Sequence, residues 1–172
     1  MASRISSIRT ILAGFLALET ATTLPLWRVK EGEPTGAAGL SKRHQDWIKA
    51  TAWKAGAGQV LLLPGDGGIA GAIYAAAPDD PSGTGLMSPG ALPSILPEGD
   101  YHLADAAGED EMAGLAWLLG AYTFQRYMTA EKRQPRRLRL APGVDRERVL
   151  DIAQAVWLAR DLINTPANEM GP

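Results

Sequence analysis

Apolar residues along the chain fall into short runs that predict strands, separated by stretches with helical spacing. Five runs carry the β-branched, leucine and aromatic residues that strands favour, and they lie at 24–29, 59–63, 69–76, 101–103 and 137–140. The second run is continuously apolar after its first residue, which is typical of a strand buried on both faces. The Pro-Gly-Asp-Gly-Gly segment at 64–68 predicts a tight turn, and therefore an antiparallel hairpin, between the second and third strands.

Apolar residues three and four positions apart predict the helices. Ser41 can cap a helix that carries Ile48 and ends by Gly56. The stretch at 78–97 is rich in proline and glycine, so it leaves room only for a short helical piece around 91–96.

The clearest helical pattern lies at 109–128, and its apolar stripe consists of Met112, Leu115, Ala116, Leu119 and Tyr122. Trp117, Phe124 and Tyr127 widen this stripe, which should pack on the sheet through Leu115, Leu119 and Tyr122. Asp145 can cap the last helix, which should reach about Asn164, because Pro166 lacks an N–H and disfavours helical geometry at the residue before it. The residues of this helix that should face a core are Val149, Ile152, Ala153, Val156 and Ala159. The element order predicts an α/β domain with a mixed sheet and flanking helices. The turn implies one antiparallel pair, and the helical crossovers imply parallel ones.

This order divides the 172 residues into an extension at 1–21, an α/β domain at 22–143, and a linker helix with a tail at 144–172. A chain of this length buries enough surface for one ordinary domain without disulfides or metals. The tail at 167–172 offers one large apolar side chain, so we expect it to lie exposed and to point away from the core.

The extension resembles a signal peptide in one respect. Arg4 and Arg9 precede an apolar run at 11–18, but that run is short, and Glu19 follows it where a small-residue cleavage site would be expected. We therefore expect a peripheral helix or a poorly ordered extension there, rather than an export signal.

Composition excludes several classes of function. The chain has no cysteine, which excludes disulfides, thiolate metal sites and a cysteine nucleophile. Seventeen basic and nineteen acidic residues give a net charge of −2, so no overall field favours nucleic acid or an anionic membrane. No apolar run approaches the roughly 18 residues of a membrane span.

Candidate catalytic residues are few. His44 and His102 are the only histidines, and neither has a partner at metal-ligand spacing, so we expect plain surface or boundary histidines. The Gly-x-Ser-x-Gly elbow of serine hydrolases is absent. Carboxylates occur in a loop at 79–80 and at a helix start at 109–111, where the helix dipole favours acidic side chains.

Two features could bind anions. The turn at 64–68 could offer backbone N–H groups to a phosphate, but it lacks the lysine of a P-loop and leads into a strand, which favours a plain hairpin. A basic cluster could contact nucleic acid, although a solvated loop or an ion-paired subunit contact is the favoured interpretation; it consists of Lys132, Arg133, Arg136, Arg137 and Arg139. The five tryptophans are expected to be core or interface anchors.

The last fifteen residues, LARDLINTPANEMGP at 158–172, resemble a segment of the leucyl (cytosol) aminopeptidase family. In that family the pattern Arg-Asp-Leu-x-Asn-x-Pro closes the helix that joins a small amino-terminal domain to the catalytic domain. Upstream segments agree in character, namely GQVLLLPG at 58–65, LPEGDY at 96–101 and LGAYTFQRY at 119–127. The resemblance covers about residues 22–172 and leaves the first twenty unexplained.

The resemblance implies that the intact enzyme removes amino-terminal residues from peptides with two divalent metals, usually zinc or manganese. Their ligands lie in the carboxyl-terminal domain, whose motifs do not occur here, so no catalytic, cofactor-binding or metal-ligating residue can be assigned to this chain, which alone is not expected to be an enzyme. The family's amino-terminal domain is macro-like and helps to assemble and cover a cytoplasmic hexamer. The expected partners are therefore its own catalytic domain and sister subunits, with a peptide as the parent's substrate and no membrane.

The resemblance also gives expectations for the chain end. The sequence reaches Gly171-Pro172 at the threshold of the catalytic domain, which suggests an excised domain or a proteolytic fragment. The outer face of the last helix would be buried against that domain, so we expect Trp157 or Leu162 to be more exposed than core residues are. The alternative function is a macro-like module that binds a ligand or, less favoured, nucleic acid.

Overall fold

The computed structural model describes residues 2–78, 84–104, 110–124 and 135–166. Within these ranges the helices are α1 Ala2–Ala13, α2 Lys42–Ala50, α3 Leu92–Ile95, α4 Asp110–Gly120 and α5 Arg146–Asn164, and a 3-10 helix, Thr84–Ala91, leads into α3. The strands are β1 Leu24–Lys30, β2 Val60–Pro64, β3 Ile69–Ala76, β4 Gly99–Leu103 and β5 Arg136–Arg139.

The five strands form one mixed sheet in the order β2-β3-β1-β4-β5. The β2–β3 pair is antiparallel, whereas β3, β1, β4 and β5 run parallel to one another. The predicted α/β class, the mixed sheet and the single antiparallel pair are confirmed. The antiparallel pair arises where the glycine-rich turn at 65–68 reverses the chain, and the Gly65 N–H donates to the Gly68 carbonyl oxygen across it (2.8 Å).

The two faces of the sheet are covered by different helices. Because successive strand residues point to opposite faces, Leu26 and Trp27 enter separate clusters. Leu26 packs with residues of α1, α4 and α5, and Trp27 packs with Ile48 of α2. The larger cluster, which also includes Leu92 of α3, therefore lies between the sheet and four helices, while α2 covers the other face near β2, β3 and β1.

The strand β2 lies at an edge of the sheet. Leu63 is buried, but Leu62 is exposed, so the prediction of a strand buried on both faces is wrong. The hairpin places β2 outside β3, and no further described strand pairs with it. The indole N–H of Trp47 donates to the Leu62 carbonyl oxygen (3.2 Å) and so occupies one polar group of the open edge.

The first helix packs into the domain instead of lying apart from it. Ile8, Leu12 and Leu16 are buried in the larger cluster. After α1 the chain pairs with β5. The Leu138 N–H donates to the Phe15 carbonyl oxygen, and the Ala17 N–H donates to the Leu138 carbonyl oxygen (both 3.0 Å). The apolar run that resembled a signal peptide therefore provides packing residues and covers the far edge of the sheet.

The helix α4 differs from its prediction in length and in facing. It ends at Gly120, whereas the sequence predicted a helix over 109–128, of which residues 125–128 and 109 lie outside the described residues. Met112 is exposed, and Leu115 and Leu119 are only half-buried. The buried residues are Ala113, Ala116, Trp117 and Leu118. The cause is that α4 contacts the 3-10 helix on one side and α5 on another, so its buried surface is broader than one stripe.

Candidate functional site

The helix α5 begins after Asp145 and ends at Asn164, as predicted. The Asp145 side chain accepts a hydrogen bond from the Arg148 N–H (3.0 Å), which is the expected amino-terminal cap. Leu162 is 39% exposed, in agreement with the expectation for the chain end, whereas Trp157 is buried at 6%. The tail at 167–172, with its predicted exposure, lies outside the described residues.

One face of α5 is apolar and exposed. Its residues lie three or four positions apart, except for the adjacent pair Ala155 and Val156, and this spacing places them on a single face of the helix. Ile163 is 83% exposed and Ile152 is 38% exposed, so the prediction that Ile152 faces the core is wrong. Ala159, which was also expected in the core, is exposed, and Val156 is half-buried. We call this surface the α5 stripe, and it consists of Ile152, Ala155, Val156, Ala159 and Ile163. A contiguous apolar stripe of this kind is typical of a surface that contacts another protein or domain.

The motif at the end of α5 contacts the end of α4. The indole N–H of Trp157 donates to the Leu118 carbonyl oxygen (2.9 Å), and Arg160 donates to the Leu119 carbonyl oxygen (2.6 Å). The Tyr122 hydroxyl donates to the Asp161 carboxylate (2.9 Å). Burial raises the pKa of the Tyr122 phenol, so this hydroxyl keeps its proton at neutral pH.

A cavity of about 100 Å³ lies at the carboxyl ends of β4 and β5. Its lining is mostly apolar, with two basic side chains; it consists of His102, Leu103, Leu138, Arg139, Leu140, Ala141 and Pro142. The Thr23 hydroxyl lies 2.9 Å from His102 Nδ1, and Arg139 donates to the Ala21 carbonyl oxygen (3.2 Å). Clefts at the carboxyl ends of parallel strands are common ligand sites in α/β sheets.

Burial, together with the neighbouring charge of Arg139, lowers the pKa of His102 below its ordinary value. Folding therefore favours the neutral imidazole, and the stability that this provides is present at neutral pH and falls as the pH drops through the unfolded-state pKa. We expect an NMR titration of His102 to give a midpoint below 6.5, and we expect His102→Gln to weaken the acid-side loss of stability. A midpoint above that value would contradict the half-buried placement of His102 beside Arg139.

The basic cluster is divided by its contacts. Arg137 pairs with Asp100 (2.6 Å), and Arg136 donates to the Leu96 carbonyl oxygen (2.8 Å). Arg139 contacts the backbone before β1, as described above, while Lys132 and Arg133 lie outside the described residues. The described arginines therefore hold elements of this domain together instead of forming an unengaged basic strip.

The other candidates are engaged within the domain. The ring of His44 lies beside Trp27, with ring centroids 5.7 Å apart. Asp66 in the hairpin turn pairs with Arg43, whose hydrogen bond lowers the pKa of that carboxyl group. Glu111 pairs with Arg148 (2.7 Å). The acids at 79–80 and at 109 lie outside the described residues.

Across residues 2–78, 84–104, 110–124 and 135–166, no three His, Asp or Glu side chains lie close enough together to hold a metal ion. These residues therefore do not fit the two-metal centre that the family resemblance implies, and we derive no catalytic step through one. None of the described helices combines the length and the apolar character needed to cross a membrane.

Solved structures place the fold among aminopeptidases. The cytosol aminopeptidase from Coxiella burnetii is 29% identical with a TM-score of 0.77, and the match covers 93% of this chain and 35% of that one. The bottromycin maturation enzyme BotP matches at 20% identity and a TM-score of 0.59, covering 88% of this chain and 35% of BotP. The structure of BotP in complex with Mn matches at 19% identity and a TM-score of 0.58, covering 88% of this chain and 34% of that one. The BotP matches show the fold alone.

The chain thus spans about a third of the length of the structures that it matches. No curated protein sequence matches it significantly. The family model of the M17 aminopeptidase, N-terminal domain, matches residues 25–141, which include all five strands and α4. This chain belongs to the M17 aminopeptidase family and represents its amino-terminal domain.

Proposed function

We propose that this domain is a non-catalytic assembly or regulatory part of an M17 aminopeptidase whose intact form removes amino-terminal residues from peptides. The α5 stripe carries the proposal, because it is an exposed apolar surface on the helix that follows the family-matched segment. In the proposed layout, residues 144–172 act as a linker helix and tail that lead to the catalytic domain. The match covers only 35% of the Coxiella burnetii enzyme, and the remaining chain of that enzyme provides such a partner.

The energetics favour a covered stripe. Burying an isoleucine side chain contributes about 1.5–3 kcal/mol relative to leaving it in water. Ile163 and Ile152 gain this free energy only when another surface covers them, because both are exposed in this domain. A catalytic domain seated on the stripe would therefore be held by two large apolar side chains with small alanines between them.

The wider setting is proposed from the family. We propose two divalent metals, zinc or manganese, in the catalytic domain, on the family membership of this chain. We propose a cytoplasmic location, supported by the cytosol aminopeptidase. We also propose, on the family resemblance, that sister subunits assemble into a hexamer. This chain would form one part of each subunit.

A grafted enzyme tests the proposal. This chain would replace the matching part of the Coxiella burnetii cytosol aminopeptidase. We expect the graft to release leucine from a leucyl chromogenic substrate within about tenfold of the unmodified enzyme's rate, because a fitting domain restores the assembled state. The isolated chain, given Mn²⁺ or Zn²⁺, is expected to release none, since its described residues hold no metal-ligand group.

Two aspartate substitutions provide the matched comparison. Ile163→Asp in the graft should lower activity and assembly by about tenfold or more, because a charge would be buried against the partner. Ile95→Asp changes a half-exposed isoleucine away from the stripe and should leave both unchanged. Three outcomes would contradict the proposal. They are a soluble graft without activity, equal effects of the two substitutions, and leucine release by the isolated chain.

The second candidate is a module that binds a small anion, and the cavity beside His102 and Arg139 favours it. Arg139 would provide the charge, since burial lowers the pKa of His102 and so favours its neutral form. Saturable binding of inorganic phosphate or ADP-ribose that Arg139→Gln abolishes, together with an inactive graft, would favour this function over the first. The nucleic-acid form is less favoured, because the described arginines of the basic cluster make contacts within the domain.

A further inference from the structure

The carbonyl end of α4 is completed by side chains of α5. A helix leaves its last four carbonyl groups without partners inside the helix. In α4, the Trp117 carbonyl accepts from the Ala121 N–H (3.0 Å), and the next two carbonyls accept from Trp157 and Arg160. The guanidinium of Arg160 is a cation at the negative end of the helix dipole, which adds to the hydrogen bond.

Tyr122 connects the residues after α4 to the last turn of α5. Its hydroxyl donates to Asp161, as described above, and accepts from the Asn164 side-chain amide (3.2 Å). Its ring packs edge-on against Trp157, with centroids 5.2 Å apart, and lies 5.4 Å from the guanidinium carbon of Arg160. One tyrosine thus contacts four residues that lie three, one and three positions apart on one face of α5.

Apolar burial contributes little to the last part of α5, where Leu158 is the one large apolar residue that packs against the larger cluster. The earlier turns carry the buried residues Val149, Leu150, Ala153 and Trp157, and Arg9 of α1 pairs with Glu147 and Asp151. From Leu158 to Asn164 every residue of α5 is half-buried or exposed. The polar contacts with the end of α4 are therefore the main described interactions that fix the direction of this segment.

We propose that Tyr122, Arg160, Asp161 and Asn164 form a latch that fixes the end of α5 on α4 and so sets the direction in which Leu162 and Ile163 face a partner. The consequence for a catalytic domain rests on the proposed function. The latch itself does not, because all of its contacts lie within this domain. Arg160, Asp161 and Asn164 belong to the Arg-Asp-Leu-x-Asn-x-Pro motif. In this proposal the motif therefore positions the end of α5.

Hydrogen exchange on the intact chain tests the latch. Tyr122→Phe removes only the hydroxyl, so it deletes the hydrogen bonds to Asp161 and Asn164 and keeps the ring contacts. We expect amide exchange at residues 161–165 to become about tenfold faster, as the loss of two modest hydrogen bonds would produce. Exchange in β1 and β3 should stay nearly unchanged. Asp161→Ala should give a similar acceleration, and the double variant should add little to it, because both changes break the same contact.

Tyr101→Phe is the matched control. The Tyr101 hydroxyl donates to the Pro97 carbonyl oxygen (2.8 Å), and its ring packs against Trp117, but it lies away from the end of α5. We expect this variant to leave exchange at 161–165 unchanged. Unchanged exchange in Tyr122→Phe, or an equal acceleration in Tyr101→Phe, would overturn the latch. An inactive graft with a protected helix end would overturn the proposed function instead.

Discussion

Gly120→Ala is expected to destabilise the domain by about 3 kcal/mol or more, because the added methyl group would clash with backbone that cannot move aside. A loss of this size is enough to unfold a marginally stable domain. An added Cβ at Gly120 would lie 1.7 Å from the carbonyl oxygen of Gly90, which is backbone of the 3-10 helix. The opposing position is also tight, since a Cβ at Gly90 would lie 2.9 Å from the Ala116 carbonyl oxygen. The two segments can approach this closely only because glycines face each other.

Gly67→Ala is the control for this substitution. Gly67 lies in the turn between β2 and β3, and nothing lies within 4 Å of an added Cβ there. Its effect should stay within about 0.5 kcal/mol, as for most open surface positions. Urea unfolding of the two variants gives the comparison. Equal midpoints would show that α4 does not approach the 3-10 helix as described.

The close approach also matters for the end of the chain. Gly120 is the last residue of α4, so the contact with Gly90 fixes the end of this helix against the 3-10 helix. The carbonyl groups of Leu118 and Leu119 are thereby held where Trp157 and Arg160 can donate to them. Loss of the glycine contact should therefore loosen the latch as well as the core.

The fold class could be predicted from the sequence because its signals are local. The turn at 65–68 specifies the hairpin, and the caps Ser41 and Asp145 begin the helices that follow them. The edge position of β2 could not be predicted, since strand order depends on contacts between distant segments. A continuous apolar run fits a central strand and an edge strand equally well when one helix covers part of it.

The candidate surface was predictable only in part. Periodicity and the proline at 166 predicted where α5 ends, and the resemblance predicted an exposed residue such as Leu162 there. The latch was not predictable, because Tyr122 and Asp161 are 39 positions apart and nothing local pairs them. Trp157 was expected to be one of the exposed candidates, but it is buried in the larger cluster. Its ring centroid lies 6.0 Å from that of Phe15, which precedes β1.

The facing of α4 leads to the second large effect. The sequence predicted that Leu119 packs on the sheet, whereas the structure buries Leu118 completely and leaves Leu119 half-buried. Leu118→Ala should therefore cost about 2–5 kcal/mol, as large-to-small changes in a packed core do, and Leu119→Ala should cost less than about 2 kcal/mol. The pair is matched, because the residues are adjacent and both carbonyl groups that bind α5 remain. Chemical denaturation of both variants gives the two free energies of unfolding, and a larger loss for Leu119→Ala would restore the original stripe and refute the facing of α4 described here.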